Sequence, residues 1–123
     1  MDIRKLQKAA VAALEDIKAR DIEVFDVKHL TSLFDRVIIA SADSGRQMNA
    51  LANNVQDRAR EVGGRVYGVE GEEGGEWVLV DLGDIVVHIL LPAVRAHYNL
   101  EELWGQPKPR RPRAKRASPS RRS

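Results

Sequence analysis

The sequence predicts a single α/β domain in which a mixed five-stranded sheet is packed with helices. Three observations carry this. Two long stretches repeat apolar residues at helical spacing, five short apolar runs follow or separate them, and turn residues stand at most of the junctions. A chain of 123 residues with 43% apolar content supports one small core and not two.

Residues 2–20 place Ile3, Leu6, Ala10, Ala13 or Leu14, and Ile17 at helical spacing, with Asp21 ending the segment. Residues 22–27 then read as a first strand and 36–41 (RVIIAS) as a second, short and buried, joined by the connection HLTSLFD. The next helix is the best marked. Ser44 with Gln47 three residues on forms a capping box, in which hydroxyl and amide each satisfy a free backbone donor. Met48, Leu51, Ala52, Val55, Ala59 and Val62 form its stripe, and Gly63-Gly64 stops it. Residues 66–69 are a third strand, and EGEEGG is a mobile acidic loop. The runs 76–81 and 84–91, separated by Leu82-Gly83, signal a β-hairpin. Pro92 opens one last short helix carrying Val94, Tyr98, Leu100, Leu103 and Trp104. The strand–helix–strand unit favours a right-handed crossover, which makes the sheet mixed.

The net charge of +2 averages two opposite segments: residues 105–123 hold eight Lys/Arg and no acid, leaving 12 basic and 18 acidic groups in 1–104. The body is −6 and the tail +8. The tail has four prolines and no apolar periodicity, so it reads as a disordered basic Pro/Arg-rich segment. It serves either as a solubilising tail or as a loose, salt-sensitive contact to RNA phosphate. The acidic body points to a basic protein partner. With no cysteine, disulfides and thiolate metal sites are excluded, and His29, His88 and His97 are too scattered for a short zinc motif. No apolar run suits a membrane span, and MDIRKLQKAA lacks the features of a secretory signal. The expectation is a soluble, cytoplasmic, bacterial protein.

The hairpin carries most of the functional information. With Leu82-Gly83 as a two-residue turn, Asp81 faces Asp84, Val80 faces Ile85, Val78 faces Val87 and Trp77 faces His88. One face is then Val78, Val80, Ile85, Val87 and Ile89, which is pure core. The other gathers Trp77, Leu79, Asp81, Asp84, Val86, His88 and Leu90, the composition of a contact surface. Leu82 at the tip is a further exposed apolar side chain. A three-residue loop with Gly83 left-handed also fits, and a one-residue slip swaps the faces. Trp77 is therefore either a contact anchor or a core tryptophan.

The run VEGEEGGEWVLVDLGDIVVHIL, followed by RAHYNLEELW, resembles the signature of the ribosomal silencing factor family, the Iojap-related proteins. The likeness extends upstream through DIEVFDVKHLTSLFDRVIIASADSGRQMNALANNV and covers about 1–104, leaving the tail outside it. It implies a nucleotidyltransferase-like α/β fold without catalytic residues, and a translational repressor rather than an enzyme. By the same resemblance, the chain binds the large-subunit ribosomal protein uL14, blocks joining of the small subunit under nutrient limitation, and forms a homodimer when free. The family's contact surface maps onto Trp77, Asp81, Leu82, Asp84 and Tyr98, with Glu70 and His88 beside them. No cofactor or metal is implied.

Enzyme readings find little in the residues. A metal-dependent nucleotidyltransferase needs converging strand carboxylates, but Val86 stands where the partner of Asp84 belongs. Triads drawn from Ser44, His29 and Asp26, or from Ser41 and His88, lack a nucleophile-elbow context. His88 reads as a sheet-surface histidine, and Asp26, Thr31, Asp35 and Arg46 as fold-maintaining groups at strand ends, a turn and a helix-start ion pair.

Overall fold

A computed structural model describes residues 2–71 and 74–104. The expected basic tail and the middle of the acidic loop lie outside them. The elements run α1 (Ile3–Asp16), β1 (Arg20–Asp26), β2 (Arg36–Ser41), α2 (Gly45–Glu61), β3 (Gly68–Glu70), β4 (Trp77–Asp81), β5 (Ile85–Leu90), α3 (Pro92–Tyr98) and α4 (Leu100–Trp104). The five strands form one sheet in the order β1-β2-β5-β4-β3. Only β2 and β5 pair in parallel; the other three pairs are antiparallel, so the sheet is mixed as expected.

Every residue of β2 and of β5 is buried, which is why both read as continuous apolar runs. Helices α1 and α2 cover one face. Their stripes (Leu6, Ala10, Leu14; Met48, Leu51, Val55) meet Ile38 of β2, Val78 and Val80 of β4, and Ile85, Val87 and Ile89 of β5. Each large aliphatic side chain buried there contributes on the order of 1.5–3 kcal/mol.

The ends of α2 follow local chemistry. Ser44 Oγ accepts the Gln47 N–H at 3.1 Å, while Gln47 Oε1 reaches one residue further back than a capping box requires, to the Asp43 N–H. At the far end Gly63, with φ +88°, lets its own N–H reach Arg60 and the Gly64 N–H reach the Ala59 carbonyl. Gln47 also explains why α1 stops short of the expected 2–20. Its amide donates to the Ile17 and Lys18 carbonyls at 2.9 and 3.2 Å, answering free acceptors at that helix end.

Three further expectations need correction. The last helix is two helices, broken at Asn99, which is left-handed at φ 50°, a conformation asparagine tolerates better than most residues. The third strand runs 68–70 rather than 66–69, set by pairing of Gly68 with Asp81 and Glu70 with Leu79. The hairpin register is shifted by two residues: Trp77 lies opposite Leu90, Leu79 opposite His88, and Asp81 opposite Val86. The turn is centred on Gly83-Asp84, closed by the Leu82 N–H on the Ile85 carbonyl at 2.9 Å. Gly83 at φ +89° supplies the glycine-first pattern of a type II′ turn. Asp81 Oδ1 secures it by accepting the Gly83 N–H at 2.8 Å.

A two-residue shift preserves which face each strand side chain takes, so the expected division of faces stands along β4 and β5, but Asp84 moves from the contact face into the turn and Leu82 leaves the tip. It is 3% exposed and packs in the α1/α2 core. Leu82→Ala should therefore cost about 2–4 kcal/mol in urea unfolding. A change within about 0.5 kcal/mol would mark the exposed position the sequence suggested.

Candidate functional site

Alternation along the strands carries Trp77, Leu79 and Asp81 of β4, and Val86, His88 and Leu90 of β5, to the face turned away from α1 and α2. Glu70 joins them from β3, opposite Leu79. This face is only partly covered. Leu100 and Trp104 of α4 pack with Phe25, Val37 and Ile39 over its β1–β2 side, and Trp104 meets Phe34 edge-on at 5.6 Å.

Arg95 holds this cover in place. Its buried guanidinium donates to Glu101 at 2.8 Å, to the Asp21 carbonyl at 2.8 Å and to Ser41 Oγ at 3.0 Å, and lies 3.4 Å from Glu23. One side chain thus ties α3 and α4 to β1 and β2. A buried cation needs this set of partners, since any acceptor removed leaves charge uncompensated.

Between the cover and β3 lies an open groove of about 600 Å³. Leu79, Val86 and His88 form its floor, Glu70 and Asp81 give it acid, and Leu33, Tyr67 and Trp104 flank it. Leu33 is 79% exposed and Tyr67 is 61% exposed. Beside it Trp77 is half-buried, its ring 5.0 Å from that of Tyr98 and 5.9 Å from that of His88. Tyr98 is 57% exposed. Trp77 is thus both of the things the sequence allowed: one side packs on the second apolar cluster, and the other supports an exposed tyrosine.

His88 is not the surface histidine expected from strand alternation; it is 9% exposed. Trp77 Nε1 donates to its Nδ1 at 3.0 Å. Burial pulls the imidazole pKa from 6.5 down to about 4, so the ring is neutral.

Of the expected contact residues, Glu70, Trp77, Asp81 and His88 share this face, and Tyr98 stands over it. Leu82 points the other way, into the core. The Asp84 side chain is exposed at the turn, while its carbonyl accepts the Asp35 and Arg36 N–H groups and pins the entry to β2. Leu33, Tyr67, Trp104 and Arg95 were not singled out from the sequence. Leu33 carried a faint signal, a large apolar side chain in a connection. Tyr67 lay in the segment read as the third strand, and Arg95 and Trp104 stand at the two ends of the run RAHYNLEELW, but the partners of Arg95 are distant in the chain and no local pattern shows them.

Ser44, Ser41 and Asp26, three of the groups weighed for catalysis, have structural partners, as does Asp43 beside Ser44. Ser44 caps α2, Ser41 accepts from Arg95, and Asp43 pairs with Arg20 at 2.6 Å. That last contact is the helix-start ion pair, supplied by Arg20 where Arg46 was expected. Asp26 lies 3.4 Å from Arg36 and accepts the Lys28 N–H, and Thr31 accepts the Leu33 N–H. Among the described residues no three His, Asp or Glu side chains are grouped to hold a metal ion. No described helix is long and apolar enough to cross a membrane.

The His88 environment predicts a pH dependence. A group held near 4 when folded and 6.5 when unfolded takes up its proton only in the unfolded chain between those values. Its stabilising effect is complete above pH 6.5 and lost as pH falls towards 4. Urea unfolding should show the chain about 2 kcal/mol less stable at pH 5 than at pH 7 on this account. His88→Gln should remove that difference, and an unchanged pH dependence in the variant would contradict the assignment.

Comparison with known proteins places this geometry. The family model described as "Ribosomal silencing factor during starvation" matches residues 1–123. The chain is 56% identical over 109 residues to Ribosomal silencing factor RsfS of Chromobacterium violaceum, covering 89% of each chain. It is 40% identical over 105 residues to the Bacillus subtilis protein of that name, covering 85% of this chain and 89% of that one. The crystal structure of protein CV0518 from Chromobacterium violaceum superposes with a TM-score of 0.84 at 56% identity, covering 89% of this chain and 91% of that one. A family match along the whole chain and a shared fold at this identity lead to one conclusion: the chain belongs to the ribosomal silencing factor family.

Proposed function

We propose that this protein docks on the large ribosomal subunit through the groove face, with ribosomal protein uL14 as its partner there. Its bulk then blocks joining of the small subunit and lowers translation when nutrients are limited. It acts by occupancy and performs no reaction. Membership in the ribosomal silencing factor family supports the regulatory role.

The observation that carries the reading is the unequal covering of the sheet. One face is sealed by α1 and α2, while the other leaves an acid-edged groove flanked by exposed Tyr67 and Leu33, with exposed Tyr98 on Trp77 beside it. Aromatic side chains supply desolvated contact area, and Glu70, Asp81 and Asp84 supply attraction to a basic protein. The free chain self-associates as a homodimer, covering exposed apolar side chains that a monomer leaves in water. The working compartment is the bacterial cytoplasm, and the basic residues of 105–123 add a salt-sensitive attraction to ribosomal RNA.

Gradient sedimentation with purified subunits tests this. The wild-type chain should travel with large subunits and suppress their joining to small subunits. Tyr98→Glu, at a mostly exposed position, should keep the fold and weaken binding at least about thirtyfold. Retained binding would remove this face from the interface. Tyr98 makes the cleaner test than Trp77, because glutamate at Trp77 would also break the bond to His88 and its packing in the second apolar cluster. Deleting 105–123 should weaken binding slightly at low salt and leave it unchanged at physiological salt; a large loss at physiological salt would assign the tail a larger part.

A further inference from the structure

The groove floor holds a hydrogen-bond donor whose direction is dictated from within the chain. An indole N–H can only donate, so Trp77 Nε1, 3.0 Å from His88 Nδ1, forces that nitrogen to be the acceptor. A neutral imidazole carries one proton, which therefore sits on Nε2. Among the described residues nothing accepts from Nε2, although the residue is nine-tenths buried and forms part of the groove floor. Trp104, on the groove's flank, repeats the demand, its indole N–H being buried without a partner among the described residues. The buried Trp104 donor costs about 1–3 kcal/mol while it goes unanswered; the His88 Nε2–H is not sealed off in this way and can be met by an acceptor placed in the open groove.

The surroundings select the acceptor. Glu70 and Asp81 line the same groove, so a carboxylate or phosphate placed there meets like charge. A neutral acceptor avoids this, and the acids favour positive charge on either side of it. A peptide carbonyl flanked by Lys or Arg side chains meets both conditions. We propose that the groove takes an extended, Lys/Arg-bearing segment of the partner protein, and that the His88 Nε2–H reads one of its main-chain carbonyls in the tautomer that Trp77 imposes. This rests on the docking reading above and adds the element that is read.

Burial keeps the ring neutral well below physiological pH, so the single-donor state persists throughout the physiological range. The inference gives Trp77 a second part besides contact area: it is a positioning residue that acts through His88. Recognition of a main-chain carbonyl is indifferent to side-chain identity, so the acid rim supplies the preference for a basic segment.

Two measurements on the full chain test it. Long-range ¹H–¹⁵N correlation of the imidazole should show the proton on Nε2 in wild type. In Trp77→Phe, which keeps an aromatic ring and loses the N–H, it should show a mixture of tautomers. Titration against purified large subunits should give about a tenfold loss of affinity for His88→Phe. His88→Gln, whose amide can donate from a similar position, should recover most of it. The loss should be the same at low and high salt, as for a neutral acceptor; a loss that shrinks with salt would mean an anionic acceptor and overturn the carbonyl assignment. A wild-type proton on Nδ1 would overturn the inference, as would undiminished binding by His88→Phe. If His88→Phe does not fold, His88→Gln and Trp77→Phe decide: full affinity with a single Nε2–H tautomer in Trp77→Phe refutes the positioning role. Failure of wild type to bind subunits would remove the docking reading itself, and this inference with it.

Discussion

The parallel pairing of β2 with β5 is the constraint on which the other features depend. Both strands lie in the middle of the sheet and are buried along their whole length, so a polar side chain on either must find its partner inside the protein. There are three such residues, and each recruits an element. Arg36 is answered by Gln7 of α1 and by Asp26 of β1. Ser41 is answered by Arg95, which thereby fixes α3 and, through Glu101, α4. His88 is answered by Trp77, which carries Tyr98 on its ring. Two of the three polar demands of the central strands thus build the face assigned here to the partner.

The unequal layers follow. Helices α1 and α2 bring wide aliphatic stripes and seal their side. On the other side two short helices, broken at Asn99, cover β1, β2 and part of β5, and meet β4 where Tyr98 rests on Trp77. The remaining floor is apolar at Leu79 and Val86 and polar at His88, with acid at its edge. Such a surface is poorly suited to an anionic ligand and well suited to a basic protein segment, in keeping with the proposed docking of a member of the ribosomal silencing factor family.

Much of this was legible in the sequence because it rests on local rules. Ser44 with Gln47, and Gly63-Gly64, mark the ends of α2 by hydrogen bonds made within a few residues. The faces of the hairpin were readable because side-chain parity survives an error of two in register. The register itself was not, since Leu82-Gly83 looks like a turn until Asp81 is seen to hold Gly83 and place Gly83-Asp84 at its centre. The rest depends on contacts far apart in the chain. Gln47 ends α1 from 29 or 30 residues away, and Arg95 reaches back 74 residues to Asp21. His88 looked exposed because alternation says which face a residue takes, not what covers that face. The signature around Trp77 identified the family, but the groove beside it needed Leu33, Tyr67 and Trp104, which no short motif brings together.

Side-chain oxidation footprinting of the chain, free and bound to large ribosomal subunits, tests the central claim most directly. If the incompletely covered sheet face is the docking surface, Leu33, Tyr67 and Tyr98, all largely exposed in the free chain, lose reactivity on binding. Val11 of α1 and Val62 at the end of α2 keep theirs. Protection confined to α1 and α2, with the groove residues as reactive as before, would contradict the account.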